Sequence, residues 1–355
     1  MTAAVPGDGT ARGTRSARAT SPAVAPSPAV AISSELDEAF ERMASAGFEL
    51  PNGFVNHGAM ACEALDALGF EGELGEWARR FARIAGPAVT PKAGTSLDWR
   101  ESLGDYKALP EWIGYFETAI ADDGWAEVVE VWVPRMVPGM ATALFHGVIR
   151  VGHAVRAIQA ADTSARREEL ARALGYWAAR YRPGQLASGT GQVASGAGQV
   201  VPGDGAFTSG TGEVASGSGE VDGVQHAVLA AAADAARYYL ASPNIYFLHG
   251  VTGAMAIELL APHLSGSDQA AAVAHLEAEH SAMYSGARPV AEVRVAGAPR
   301  QALATAAEAS GDPHEVKLVE AALRALDLTG DPVFAAASET VTGLTAKGAA
   351  RWSTV

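Results

Sequence analysis

Nine histidines occur in the chain, and four of them lie in apolar sequence beside a glycine. His57 in NHGAM, His146 in FHGVIR and His249 in LHGVTGAM each precede a glycine, whereas His153 in GHAVRA follows one. A small neighbour allows another helix or a ligand to approach the imidazole ring closely. Neutral imidazole is the commonest metal ligand, and metal sites are built in the interiors of helical bundles. The pattern predicts either a shared metal site or separate core histidines with satisfied hydrogen bonds.

The spacing of His146 and His153 bears on the geometry of such a site. Seven residues return to nearly the same face of an α-helix, so both rings point the same way. The rise between the two residues is about 10.5 Å. A single metal therefore contacts both rings only if each reaches inward along the helix axis. Otherwise one ring is a ligand and the other supports the site.

A metal held only by neutral rings would leave its charge uncompensated, so an anionic ligand is expected. Glu63 and Glu258 follow His57 and His249 in the sequence and are the ordinary candidates. Lys317 is another candidate, because it lies three residues after His314 on an apolar helix. A buried lysine shifts towards its neutral form and can add carbon dioxide to become a carbamate. The alternative for Lys317 is a surface lysine with a partly buried stem.

Helices must position these residues, because strand patterns are scarce in the sequence. Helical periodicity begins at Ser34 and recurs over residues 107–121, 125–160 and 164–182, and again after residue 224. Pro134 and Pro138 interrupt the second of these segments, which predicts a separate helix from Met140. The predicted fold is mostly α, a single multi-helix domain built from residues 34–183 and 224–355. Residues 1–33, rich in Ala, Ser, Pro, Thr and Gly, are predicted to form a disordered tail.

Residues 184–223 interrupt the helical pattern with a seven-residue repeat. Glycine recurs at positions 184, 191, 198, 205, 212 and 219, with an apolar residue two places after each. The glycines exclude a coiled coil. The repeat is interpreted as a Gly/Ser-rich insertion, either a flexible exposed loop or a flap packed on the body of the protein. The repeat contains no GxGxxG fingerprint, and GxxxxGK[ST] occurs nowhere in the chain, so no phosphate-binding loop is predicted.

Charge and composition exclude several classes of partner. The net charge is −14, which opposes binding to nucleic acid. Cys62 is the only cysteine, so an intrachain disulfide and a cysteine-based metal cluster are excluded. We expect no membrane span, because no continuous apolar run reaches about 18 residues. A cytoplasmic location is expected from the cysteine usage.

Four segments in order resemble the questin oxidase-like family: NHGAMACEAL, HGVIRVGHAVRA, FLHGVTGAMAI and DPHEVKLVEAAL. The resemblance covers roughly residues 50–330 without the repeat insertion, which is not a known feature of the family. It implies a mostly helical non-haem iron oxygenase. The reaction implied is Baeyer–Villiger-type oxygen insertion or oxidative ring cleavage on anthraquinone-like aromatic polyketides, with dioxygen as co-substrate.

The resemblance also assigns residues. It implies Fe²⁺ held by His57, His146, His153 and His249 with Lys317 as the carbamate, and His314 in place of one histidine as an alternative. Asn56 and Arg150 would support the ligands or contact the substrate. Outside the motifs, Trp112, Tyr115, Trp132 and Tyr246 are candidates to line a substrate pocket, although aromatic residues of this kind more often belong to the core. His263, His275 and His280 also fall outside the motifs and are expected at the surface.

Two matters stay open at this point. Family members have been described with a nicotinamide cofactor, so NADPH is a candidate, although the sequence shows no dinucleotide fingerprint. Two other functions are also compatible with the same histidines. One is a zinc-dependent hydrolase or lyase, because histidine serves zinc as well as iron. The other is a metal-free protein that binds an apolar ligand.

Overall fold

The structure, a computed structural model, describes residues 34–92, 94, 97–184, 186 and 218–345, and the side chains of residues 223–345 in the last of these ranges. The predicted tail, residues 1–33, lies outside the described residues, as does almost all of the predicted insertion. The described part of the chain belongs to one compact unit. A helix begins at Ser218, so the last residues of the range predicted as insertion are helical.

The described residues form fourteen α-helices, and their β-structure is a single antiparallel bridge between Glu49 and Val55. The prediction of a mostly α fold is confirmed. The helices are α1 (Ser34–Ala44), α2 (Gly58–Ala67), α3 (Leu74–Ile84), α4 (Trp99–Ser102), α5 (Leu109–Asp123), α6 (Trp125–Met136), α7 (His146–Ala160), α8 (Ser164–Arg180), α9 (Ser218–Ala241), α10 (Ile245–Leu260), α11 (Gly266–Met283), α12 (Arg300–Ser310), α13 (Pro313–Thr329) and α14 (Pro332–Thr342).

Four of these helices form a closed ring at the centre of the fold. Helix α2 packs against α7, α7 against α10, α10 against α13, and α13 against α2. Helices α7 and α10 are buried on almost every face. This is expected for α10, which is almost entirely apolar, whereas α7 buries histidines and an arginine as well. The remaining helices pack around this ring; α8, for example, packs against α5 and α7. The ring thus provides an interior lined by side chains from four separate stretches of sequence.

The prediction of a helix from Met140 was wrong, because α7 begins at His146. The three residues before it, Ala143, Leu144 and Phe145, have φ of 49°, 57° and 63°. This is a left-handed turn built without glycine, and each such residue costs roughly 1–2 kcal/mol. Packing must therefore hold the turn in place. Phe145 is fully buried, and a Cβ on Gly253 of α10 would lie 2.8 Å from the Phe145 ring.

Of the aromatic residues considered for a substrate pocket, Trp112, Tyr115 and Trp132 pack together in α5 and α6, in agreement with the alternative of a core role, whereas Tyr246 lies in α10. Trp112 lies 5.4 Å from Trp132 and 6.0 Å from Tyr115, measured between ring centroids. Trp112 and Trp132 are buried. The rings pack edge to face, which is a favourable arrangement for aromatic pairs. This cluster stabilises the packing of α5 on α6.

One segment of the described residues, Ile245–His263, is long and apolar enough to cross a membrane by length and composition. Two thirds of its apolar window, 67%, is buried inside the fold. It also contains His249 and Glu258, so it is not a continuous apolar run. Helix α10 lies within this segment and belongs to the central ring, and a core helix of this kind passes the same length and composition test.

Candidate metal centre

Four histidines meet inside the helical ring. His57, His146, His249 and His314 each offer a ring nitrogen, and these nitrogens all lie within 4.8 Å of one another. The rings follow the order of the helices that carry them. The centroid distances are 4.7 Å for His57 and His146, 4.5 Å for His146 and His249, 5.3 Å for His249 and His314, and 4.4 Å for His314 and His57.

Each of the four histidines lies at or near the N-terminus of its helix. His57 is the residue before α2, His146 opens α7, His314 is the second residue of α13, and His249 is the fifth residue of α10. Four helix N-termini therefore converge on the cluster. Their partial positive charges oppose a cation and favour an anion. A metal ion at this position therefore requires a negatively charged ligand.

Asn56 fixes the position of His57. Its side-chain amide donates to the Gly47 carbonyl at 2.9 Å, and its Oδ1 accepts from the Gly58 N–H at 3.0 Å. The second bond satisfies one of the otherwise free N–H groups at the start of α2. Asn56 thus anchors the helix start beside His57 by two bonds to the backbone.

His146 is held by the left-handed turn that precedes it. Its Nδ1 contacts the carbonyl oxygen of Ala143, the first residue of the turn. A carbonyl can only accept a hydrogen bond, so Nδ1 carries the ring proton. In the neutral ring, Nε2 is then unprotonated and presents a lone pair to the cluster. The strained turn is what places this carbonyl under the ring.

His249 and His314 are oriented in the same way. The Nδ1 of His249 lies 2.7 Å from the Ile245 carbonyl oxygen, one turn earlier in α10. The Nδ1 of His314 lies 3.1 Å from Oδ1 of Asp312, which also caps α13 by accepting from the His314 N–H at 2.8 Å. Both acceptors place the proton on Nδ1, so Nε2 of the neutral ring carries a lone pair. Metal-ligating histidines usually have such partners on their other nitrogen.

The Nε2 atoms of these rings face one another at short distances. His146 Nε2 lies 3.2 Å from His249 Nε2 and 2.7 Å from His57 Nε2. Burial lowers the pKa of all three histidines well below 6.5, so the rings are neutral at pH 7. The two lone pairs of His146 and His249 then oppose each other with no proton between them. A cation shared by the rings would remove this repulsion.

Lys317 lies beside the cluster, and of the two alternatives considered for it the structure shows the buried lysine. Its side chain is fully buried, and its Nζ has no hydrogen-bond partner in the described part of the chain. Burial lowers its pKa to about 7. A charge on Lys317 would lower the pKa of each of the four histidines, which places it close to all of them. A neutral, unpaired amine next to four lone pairs is suited to carbamate formation.

The structure does not bring His153 into the cluster. Its Nδ1 lies 2.5 Å from Oε2 of Glu63. Glu63 lies on α2, six residues and therefore more than one helical turn after His57. Glu63 and Glu258, the two carboxylates considered as ligands, contact Arg156 and Arg324 instead. The fourth histidine of the cluster is His314, which the family resemblance gave only as an alternative.

Arg150 also makes its contacts outside the cluster. Its guanidinium pairs with the Glu169 carboxylate through two bonds, at 2.6 and 2.8 Å, and lies 4.6 Å from the centroid of the Phe48 ring. All of these groups are buried. Arg150 therefore joins α7 to α8, and no contact in the described residues links it to a histidine of the cluster.

The glycines beside three of the histidines allow side chains to pack closely at the helix starts. A Cβ on Gly58 would lie 2.5 Å from Cε of Met43, and one on Gly147 would lie 2.7 Å from the Trp177 ring. A Cβ on Gly250 would collide with the Tyr284 hydroxyl. The small neighbours therefore serve packing against the ring helices rather than access to the histidines.

One histidine expected at the surface is buried. His280 on α11 is 6% exposed, and burial lowers its pKa to about 4. Its ring lies 6.0 Å from the Phe145 ring. Its immediate neighbours, Glu279 and Ser281, are polar, but Leu276 and Tyr284 at four residues before and after it place it on an apolar helix face, which was the signal for burial.

Residues 56–196 match the family model described as Questin oxidase-like. The match confirms the family resemblance that the motifs indicated, and it contains His57 and His146. His249, His314 and Lys317 lie beyond the matched range and reach the cluster through the fold. No curated protein and no solved structure matches the chain.

Proposed function

Because this chain is questin oxidase-like over residues 56–196, we propose that it is an oxygen-dependent oxidoreductase with a metal at the four-histidine cluster. The metal proposed is Fe²⁺. The substrate class is a flat aromatic polyketide of the anthraquinone type, and the reaction is Baeyer–Villiger-type oxygen insertion or oxidative ring cleavage. The substrate and the metal's identity rest on the family resemblance, whereas the cluster itself rests on the geometry.

The observation that carries the proposal is the pair of Nε2 atoms on His146 and His249, 3.2 Å apart. Both rings donate their Nδ1 proton to a backbone carbonyl, so neither has a proton to share with the other. Two buried acceptors at this distance cost free energy unless a third group lies between them. A divalent metal coordinated by both rings is the group that this chemistry fits best.

Each residue has a defined task in this centre. The four Nε2 atoms would hold the metal, while the carbonyls of Ala143 and Ile245 and the carboxylate of Asp312 keep the rings in one tautomer and one orientation. The buried setting excludes bulk water. When bound, Fe²⁺ would supply the redox chemistry that activation of dioxygen needs and that amino-acid side chains do not provide.

Lys317 would supply the negative charge. Its neutral Nζ would attack the carbon of carbon dioxide: the nitrogen lone pair forms the N–C bond, one C=O π bond opens with its electron pair moving to oxygen, and one N–H bond breaks with its proton passing to solvent. The product is a carbamate anion, which offers oxygen ligands to the metal. The negative charge of the carbamate would be stabilised by the positive potential of the four helix N-termini.

Metal analysis of protein purified without an affinity tag tests the proposal. We expect about one iron per chain in the wild type, and loss of that iron in His146→Ala and in Lys317→Ala. One zinc per chain would favour a hydrolase or lyase instead. Folded wild-type protein that binds neither metal under any loading condition would contradict the proposal and favour a metal-free binding protein.

The electron balance of the reaction separates its two forms. Insertion of one oxygen atom with release of the other as water requires a pair of electrons from a reductant such as NADPH. Ring cleavage that incorporates both oxygen atoms requires none. Oxygen and NADPH consumption, measured together with a hydroxyanthraquinone as the probe substrate, therefore assign the reaction. Absence of oxygen consumption with iron-loaded protein and a panel of such quinones would argue against this substrate class.

A further inference from the structure

A network of buried charges lies further along the same four helices, outside the histidine cluster. Arg156 on α7 contacts Glu63 on α2 through two bonds, at 2.7 and 2.6 Å, and also contacts the carboxylate of Glu320 on α13. Arg324 on α13 donates to the same Glu320 oxygen at 3.0 Å. The network therefore joins three of the four helices through Arg156 and two carboxylates, of which that of Glu320 is shared with Arg324.

The fourth helix is joined at the far end of the network. Arg324 contacts the carboxylate of Glu258 on α10 and donates to the Met255 carbonyl, also on α10, at 3.1 Å. At the near end, His153 on α7 contacts Glu63. Every helix that carries a histidine of the cluster thus contributes at least one charged side chain to the network, and the contacts run continuously from α2 to α10.

On each helix, a charged residue of the network lies a similar number of residues after the histidine of the cluster. Glu63 follows His57 by six residues and Glu320 follows His314 by six, while Glu258 follows His249 by nine. These separations correspond to a rise of about 9–14 Å along each helix. The charges therefore form a second layer across the ring, roughly two turns from the histidine layer.

Removing the charged side chains of this layer from water costs free energy. Glu63 and Glu320 are 3% and 4% exposed. Burial opposes ionisation of Glu63, but Arg156 and His153 lower its pKa to about 2. Well-packed apolar residues often stabilise a fold as well as a buried ion pair does, and the best-attested use of such pairs is to specify register. The directional, bidentate contact of Arg156 with Glu63 is suited to that use, because apolar surfaces slide past one another more freely.

We infer that this charge layer, centred on Glu63 and Arg156, is the positioning element of the metal centre. It fixes the axial positions of α2, α7, α10 and α13 relative to one another. Because each helix carries a single histidine of the cluster near its N-terminus, the register of the helices determines whether four Nε2 atoms converge on one point. Metal ligands must be held to within about 0.5 Å, which helix packing by itself does not guarantee. The inference rests on the proposed metal function.

Glu63→Gln and a matched control test this inference. Glu63→Gln keeps the shape of the side chain and removes its charge. Glu339 on α14 is a suitable control because it is a carboxylate of similar burial, 2% exposed. It accepts hydrogen bonds from the backbone N–H groups of Ala296 and Ala298, which lie in the segment before α12. Glu339→Gln removes a buried charge whose hydrogen-bond partners lie outside the four ring helices, on a helix that packs against one of them, α13.

The readouts are the affinity of the metal-free proteins for cobalt(II), the visible spectrum of the bound cobalt and thermal unfolding without metal. We expect Glu63→Gln to bind cobalt about 10- to 100-fold more weakly than the wild type, the range seen when outer partners of metal ligands are changed, and to shift the cobalt absorption bands. Glu339→Gln should lower the melting temperature but leave the affinity within about twofold and the spectrum unchanged.

Three outcomes would contradict the inference or the function on which it rests. Wild-type affinity and spectrum in Glu63→Gln would overturn the positioning role. Equal loss of affinity in both variants would also overturn it, because the effect would then follow stability alone. If Glu63→Gln does not fold, Glu258→Gln at the far end of the network takes its place with the same expectations. Wild-type protein that binds no cobalt would instead refute the metal centre itself.

Discussion

The Nε2 atoms of His146 and His249 lie 3.2 Å apart, and each ring has its Nδ1 directed at a backbone carbonyl. The two residues are 103 positions apart in the chain. Their neutral rings present lone pairs to each other in a buried setting, which two histidines that served only to fill a core would avoid. This relationship distinguishes the metal hypothesis from a set of separately satisfied histidines.

The structure distinguishes His314 from His153 as a ligand. His314→Ala removes a ring from the cluster and should weaken metal binding by more than about 100-fold, since changing an outer partner alone costs about 10- to 100-fold. His153→Ala removes a ring that contacts Glu63 and should retain one metal per chain. Metal content after dialysis checks both variants. Loss of metal in His153→Ala with full retention in His314→Ala would restore the ligand set implied by the family resemblance.

The pKa of Lys317 predicts a pH dependence of the metal-free protein. Burial lowers that pKa from 10.5 to about 7, so between these values the unfolded chain binds more protons than the folded one. The free energy of unfolding should therefore rise from pH 7 to pH 9 by up to about 1.4 kcal/mol per pH unit. Urea unfolding at both pH values measures the slope.

Lys317→Met isolates this effect, because methionine fills a similar volume without a titrating group. The variant should lose the part of the pH slope that comes from Lys317, and it should be more stable than the wild type at pH 7 in the absence of metal. An unchanged slope in Lys317→Met would show that the amine does not titrate as its burial predicts.

The histidines predict a second pH effect, on the acid side. Burial lowers the pKa of His57, His146 and His249 well below 6.5, so the unfolded chain binds more protons just below that value. The metal-free protein should therefore lose stability as the pH falls below about 6.5, the unfolded value. Unfolding at pH 7 and pH 5 tests this. His146→Ala should reduce the difference, and a larger difference in that variant would contradict the assignment.

The left-handed turn predicts a stabilising substitution. Ala143 has φ of 49°, a conformation that glycine adopts freely and alanine does not. Ala143→Gly should raise the free energy of unfolding by about 1 kcal/mol, because relief of strain of about 1–3 kcal/mol exceeds the entropic cost of glycine. Thermal unfolding of the metal-free protein provides the measurement. A fall in stability would show that packing of the alanine methyl group outweighs the backbone strain.

The sequence alone determined the helical class of the protein and most of the side chains of the candidate metal centre. Both follow from local chemistry. Apolar periodicity specifies a buried helix, Asp312 before Pro313 specifies the start of α13, and a histidine in an apolar helix needs a partner wherever the helix lies. His57, His146, His249 and Lys317 were therefore recognisable as a group before their positions in space were known.

Only the tertiary structure decided which residues meet. The periodicity continued through Met140, but packing of Phe145 against α10 stabilises a left-handed turn that no local preference predicts. His153 shares a helix face with His146, yet the rise of α7 carries it to the layer of Glu63 and Arg156, and α13 brings His314 to the cluster instead. Convergence of histidines 65 to 257 positions apart depends on how whole helices pack, and that is a sum of many contacts spread over the chain rather than a property of any one segment.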